Sequence, residues 1–169
     1  MNGSQRLVPW QKWEEWRYVK DLLYSNNYDD QMEGISIVKS WKCRCVSIPV
    51  AVESTSLFTE LLMKLDSFVH EPSIESDQYQ YSELVYASSM AIIRMVNGLI
   101  DAEQKGVYSK SVNTIAEEIG LPRVFVDLRH RCTHMSIPSF ELLYSALQEG
   151  KQWLFESYWN VYLRFFYDL

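Results

Sequence analysis

The chain has 169 residues, of which 47% are hydrophobic, 22% charged and 14% aromatic, with a net charge of −6; this is the make-up of one globular domain and excludes intrinsic disorder. Its six glycines, at positions 3, 34, 98, 106, 120 and 150, are too dispersed for a phosphate-cradling loop, and Cys43, Cys45 and Cys132 form no CxxC pair, which speaks against a disulfide framework and for a reducing compartment. Lys12, Glu14, Glu15 and Arg17 interrupt the start, and the longest uncharged apolar stretch, 84–93, falls far short of the roughly 20 residues of a bilayer span, so the expectation is a soluble intracellular protein.

The elements read as helices divided by proline-marked turns, with no repeat. Pro9 precedes a run whose Trp10, Trp13, Val19, Leu22 and Leu23 share a face, which predicts a helix with proline in its first turn. A second helix is predicted over 30–42, and a third from Pro49 to Asp66 on the spacing of Leu57, Phe58, Leu61, Leu62 and Leu65. The polar stretch 67–78, which holds Pro72, reads as a loop. Leu84, Val85, Ile92, Met95, Val96 and Leu99 then mark a long core helix over 79–100. Ser111 is the expected N-cap of a short helix that Gly120 stops. Pro122 starts the next helix, expected to end near Pro138. The segment 139–169 carries Trp153, Phe155, Tyr158, Trp159, Tyr162, Phe165 and Phe166, and reads as one long aromatic helix. No alternating strand pattern is found. The fold class is therefore all-α, an antiparallel bundle of about five to seven helices.

Charge is uneven along this acidic chain. Between Leu121 and Pro138 stand Arg123, Arg129 and Arg131 against the single acid Asp127, leaving 13 Lys and Arg against 21 Asp and Glu elsewhere. Two of the three histidines, His130 and His134, lie in this basic segment. On a helix they fall about 40° apart on one face, with Arg129 and Thr133 as a second pair about 100° round. Such a stripe is compatible with a plain solvated face. It is also compatible with a His-x3-His metal site, although no glutamate lies between the histidines and the arginines repel a cation. Cys132 as a nucleophile points about 160° away from both imidazoles, which makes it a core thiol. A helix-turn-helix is a further reading, with Ile115, Ala116, Ile119, Gly120, Leu121 and Val126 as its frame and Arg123, Asp127 and His130 facing a groove; the acidic balance supplies little phosphate attraction for it.

A fourth reading is acid–base cleavage of RNA. Attack of a ribose 2′-OH on the adjacent phosphate needs a base, an acid for the departing 5′-oxygen, and a cation for the developing charge. Histidine, with an unperturbed pKa of about 6.5, performs either proton transfer, and the arginine fork suits phosphate oxygens. Arg129 and His134 lie about 140° apart round the helix, so two copies about a two-fold axis would surround one phosphate better than one.

The run Arg129-His130-Arg131-Cys132-Thr133-His134 resembles the RHxxTH form of the R-x4-H motif of HEPN ribonucleases. More narrowly, Val8-Pro9-Trp10, the run 90–101 (MAIIRMVNGLID), Gly120-Leu121-Pro122 and the run 125–130 (FVDLRH) are similar to the Las family of pre-ribosomal RNA endonucleases, over essentially the whole chain. The resemblance implies that 1–169 is a single HEPN nuclease domain, with the long C-terminal region of the full protein absent, and that it forms a homodimer with a composite, metal-independent site and no cofactor. It implies cleavage of precursor rRNA in the second internal transcribed spacer, leaving 2′,3′-cyclic phosphate and 5′-hydroxyl ends, in the nucleus and nucleolus. A polynucleotide 5′-kinase partner, contacted mainly through regions absent here, would phosphorylate the new hydroxyl. The carried-over catalytic residues are Arg129 for the phosphate and His130 and His134 for proton transfer. Arg94 and Asn97 are read as hydrogen-bonding groups of the core, His70 is assigned no role, and the C-terminal aromatics are assigned to core or dimer interface in preference to base stacking. A non-catalytic HEPN scaffold is the remaining alternative.

Overall fold

The computed structural model describes residues 8–70, 77–104 and 110–161. Seven α-helices run in chain order as α1 (Trp13–Leu23), α2 (Tyr28–Arg44), α3 (Val50–His70), α4 (Asp77–Glu103), α5 (Val112–Glu118), α6 (Arg123–His134) and α7 (Phe140–Leu154). A single wide π-helical turn, Phe155–Trp159, follows α7. The described residues contain no strand, so the chain is all-α as expected.

Local chemistry explains most boundaries. The Asn27 side chain accepts hydrogen bonds from the backbone N–H groups of Asp29 and Asp30, and α2 then carries acids in its first turn and Lys42 and Arg44 in its last, which suits the helix dipole. Ser111 and Ser139 cap α5 and α7 in the same way, through the N–H groups of Thr114 and Leu142. The start of α1 departs from expectation. Pro9 lies four residues before the helix, because Trp10 turns inward and packs on Trp41 (ring centroids 5.6 Å apart) before the chain becomes helical. The expected loop over 67–78 is shorter, since α3 continues to His70 and α4 begins at Asp77; Pro72 lies outside the described residues. So do Tyr162, Phe165 and Phe166.

Two apolar clusters organise the bundle. The larger joins α3, α4, α5, α6 and α7 through buried Phe58, Ile92, Met95, Ile115, Phe125 and Leu147. At Gly150 of α7 a Cβ would come within 2.6 Å of the Phe58 ring and 3.3 Å of Phe125, so this closest approach of α7 to α3 requires glycine. The smaller cluster joins α1 and α2 to the π turn through Trp10, Trp16, Trp41 and Trp159. The π turn interrupts the long helix expected over 139–169, and buried Trp159 packs against Trp16 at 4.7 Å.

By length and composition α4 is apolar enough to cross a bilayer. Half of its apolar window is buried against neighbouring helices, as befits the core helix of a bundle.

Candidate functional site

The site stands on α6, and the turn before α6 fixes where that helix begins. Gly120 has φ +67°, its N–H donates to the Glu117 carbonyl, and the Leu121 N–H donates to the Ala116 carbonyl at 2.8 Å. These two bonds form a Schellman stop for α5, which needs the left-handed geometry glycine adopts freely. Trp153 of α7 donates its indole N–H to the Gly120 carbonyl at 2.9 Å, tying the turn to the core. Pro122 then leads into α6 with φ −56°.

The buried face of α6 consists of Phe125, Val126 and Leu128, with Cys132 half-buried behind them. Burial pushes the Cys132 thiol above the usual cysteine range, against the opposing effects of a hydrogen bond with Ser89 and the nearby Arg131 charge. It is a packed thiol, as expected from its direction on the helix. Because Cys132 meets Ser89 while Arg129 meets Asn97, α6 runs antiparallel to α4. The helix ends at His134, four residues before Pro138, because Met135 is extended and the chain turns so that Ile137 and Pro138 are covered by the core.

Arg129 is half-buried and donates from Nε to the Asn97 side-chain oxygen at 2.9 Å. Among the described residues no carboxylate comes within ion-pair reach of it. Its charge is therefore oriented but not neutralised. Thr133 spends its hydroxyl on the Arg129 carbonyl, 2.7 Å away, inside the helix. His130 and His134 are both exposed, with ring centroids 5.1 Å apart and planes tilted by 50°. No third His, Cys, Asp or Glu joins them as a metal-ligand group among the described residues.

A cleft of about 460 Å³ opens between the start of α5 and the outer face of α6. Arg129 and His130 line it together; His134 does not. The structure thus places Arg129 and His130 on one cleft and His130 beside His134 on the surface. His70 lies at the end of α3, its Nδ1 2.8 Å from the Asp66 carbonyl, and lines no part of this cleft.

Of the two expectations about α4, the one for Arg94 needs correction. The Arg94 side chain is 64% exposed and lies 3.5 Å from Glu53 at the surface, so it does not hold the core together. Asn97 does form a half-buried hydrogen bond, but its partner is Arg129, which ties it to the site. That link crosses 32 positions and two helices, so no local spacing reveals it.

Comparison with known proteins adds to this geometry. A family model described as Las1-like matches residues 8–161. The chain is 32% identical over 163 residues to the pre-rRNA-processing protein las1 of Schizosaccharomyces pombe, an alignment covering 93% of this chain and 31% of that protein. It is 34% identical over 165 residues to the protein LAS1 of Saccharomyces cerevisiae, covering 92% and 31%. To the mouse ribosomal biogenesis protein LAS1L it is 25% identical over 155 residues, covering 91% and 19%. The chain spans about a third of the length of the two yeast relatives.

Proposed function

The chain belongs to the Las1-like family, and from that premise we propose that it acts in the processing of precursor rRNA as a metal-independent endoribonuclease. The observation that carries this reading is the arrangement on α6. An un-neutralised guanidinium, oriented by Asn97, shares a cleft with His130, whose ring centroid lies 5.1 Å from that of exposed His134. Arg129 binds the scissile phosphate and stabilises the charge that builds on it. Of His130 and His134, one removes the proton of the ribose 2′-OH and the other protonates the departing 5′-oxygen. The 2′-oxygen forms its bond to phosphorus as the bond to the 5′-oxygen breaks, leaving a 2′,3′-cyclic phosphate and a 5′-hydroxyl.

The position of His134 outside the cleft supports a composite site. Arg129 and His134 diverge by about 140° round α6, so a second copy about a two-fold axis brings the missing histidine to each phosphate. The named roles of the relatives support a setting in ribosome biogenesis; the second internal transcribed spacer as the cleaved region, a nuclear and nucleolar location, and a polynucleotide 5′-kinase partner that consumes the new 5′-hydroxyl belong to the same proposal through the family resemblance alone.

The test is cleavage of an end-labelled spacer RNA in excess EDTA across a range of protein concentrations, with His134→Ala alongside. The reading expects cutting that rises more steeply than linearly with protein, yields cyclic-phosphate ends, and is absent in the variant. Cutting that survives His134→Ala refutes the assignment. Tight RNA binding without cutting by the full-length protein and its kinase would instead identify a scaffold, and preference for duplex DNA with a defined half-site would identify a helix-turn-helix module.

A further inference from the structure

We propose that the cleft between α5 and α6 is a nucleobase subsite that favours bases carrying an exocyclic amino group, guanine above all, and disfavours uracil. The proposal rests on the RNA reading above and names what lies next to the phosphate held by Arg129.

The volume of about 460 Å³ falls within the roughly 300–1,000 Å³ of small-ligand sites. Its wall carries two kinds of polar group. Arg129, His130 and Arg131 present N–H donors that suit a phosphate. One turn earlier on α6 stands the carboxylate of Asp127, and from α5 comes the amide of Asn113. A carboxylate repels phosphate oxygens but accepts hydrogen bonds from the N–H groups of a base edge. Phosphate and base are thereby drawn to different groups of one cleft.

Asp127 is available for this. Its partner is Arg123, 3.8 Å away, with side chains 87% and 68% exposed, and such a surface pair is easily exchanged. Asn113 is exposed, and its amide makes no hydrogen bond among the described residues. Val112 and Val126 supply apolar wall, and the 64% exposed Met135 places a flexible thioether at the rim, a group that packs well on aromatic faces.

The chemistry of the edge then selects the base. Guanine presents N1–H and N2–H side by side, matching the two oxygens of one carboxylate. Adenine and cytosine offer one amino group each. Uracil would set two carbonyl oxygens against Asp127, with a single N–H between them. Asn113, able to donate and accept, completes the edge of a base that Asp127 already holds.

The experiment is a titration of the ¹⁵N-labelled chain with GMP, AMP, CMP and UMP in EDTA, following backbone and side-chain amide signals. The proposal expects the Asn113 side-chain amide and the backbone of 111–113 and 126–131 to shift, with GMP bound about tenfold more tightly than UMP, the discrimination of one good base contact. Asp127→Asn should reduce that preference to within about twofold while phosphate-dependent binding persists, and Asn113→Ala should weaken the three amino-bearing nucleotides more than UMP. Equal binding of all four, absence of binding, shifts confined to other surfaces, or a preference that survives both variants would each overturn it. No cleavage is needed for this readout. Equal binding alongside His134-dependent cutting removes the subsite and leaves the nuclease; base preference without cutting does the reverse.

Discussion

The two ends of the molecule treat polar groups in opposite ways. At the tryptophan end, Trp10, Trp16, Trp41 and Trp159 interlock with ring centroids 4.7–6.3 Å apart. Two of its indole N–H groups are matched: Trp41 donates to Glu15 and Trp159 donates to Thr55, both at 2.9 Å, and the Thr55 hydroxyl donates to the Ala51 carbonyl. At the α6 end, Arg129 has an orienting amide but no counter-charge, and His130 and His134 face solvent. Buried aromatic packing stabilises, whereas a half-buried, un-neutralised cation costs stability and leaves binding capacity. The lesson is a division of labour along the bundle, joined by α3 and α4, which lets the site be changed without unfolding the protein.

The largest expected effect follows from breaking the stable end. Trp159→Ala removes a fully buried indole from between Trp16 and Tyr24 and should lower stability by about 3–5 kcal/mol, read from the midpoint of denaturant unfolding. Under conditions where the variant remains folded, the His130 and His134 signals in an NMR spectrum should match the wild type. A marked change there would mean that the two ends are not separable.

Lys151 is the exception within the stable end, and it sharpens the contrast. Its ammonium lies 5.1 Å from the centre of the Tyr24 ring, and the Tyr24 hydroxyl donates to the Lys151 carbonyl, but no carboxylate pairs with it among the described residues. Burial pushes its pKa down from 10.5 to about 8. Below pH 8 the folded state holds a half-buried charge that the unfolded chain keeps in water. Between about 8 and 10.5 the folded state has lost the proton while the unfolded chain still binds it, so stability rises with pH across that window. Lys151→Met should therefore stabilise at pH 7 by up to about 3 kcal/mol, and the gain should fade towards pH 10.5. Unfolding midpoints of both proteins from pH 7 to 10.5 test this; a gain independent of pH would assign it to packing alone.

What the sequence made legible follows the range of the forces involved. Ser111 and Gly120 act within a single turn of backbone, and the structure places both where expected. The histidine spacing likewise needs only the pitch of a helix, and the two rings lie together. The early burial of Trp10, the π turn that brings Trp159 to Trp16, and the end of α6 at His134 depend on partners far along the chain. Cleft and site divide in the same way. Arg129 and His130 are neighbours in sequence, but the cleft also needs Asn113 from α5, and Arg129 needs Asn97 from α4.

Asn97 offers the finest test of the division, because it is a half-buried core-helix residue whose proposed effect falls on the site. Replacing it by alanine frees the Arg129 Nε and leaves the charge in place. On the proposed function, an orienting bond to a charged group is worth about 1.5–3 kcal/mol, so cleavage should fall about 10- to 100-fold with RNA affinity reduced less. Asn97→Asp separates positioning from packing. The acid keeps the shape and the acceptor, so Arg129 stays oriented and the folded state should be as stable as the wild type or more so. The new ion pair, however, neutralises the guanidinium, so RNA affinity should fall and its dependence on salt should flatten. Stability and affinity moving in opposite directions is the signature of a residue acting through Arg129. Should Asn97→Asp match the wild type in both, Asn97 belongs to the core alone and the boundary between the two ends runs between α4 and α6.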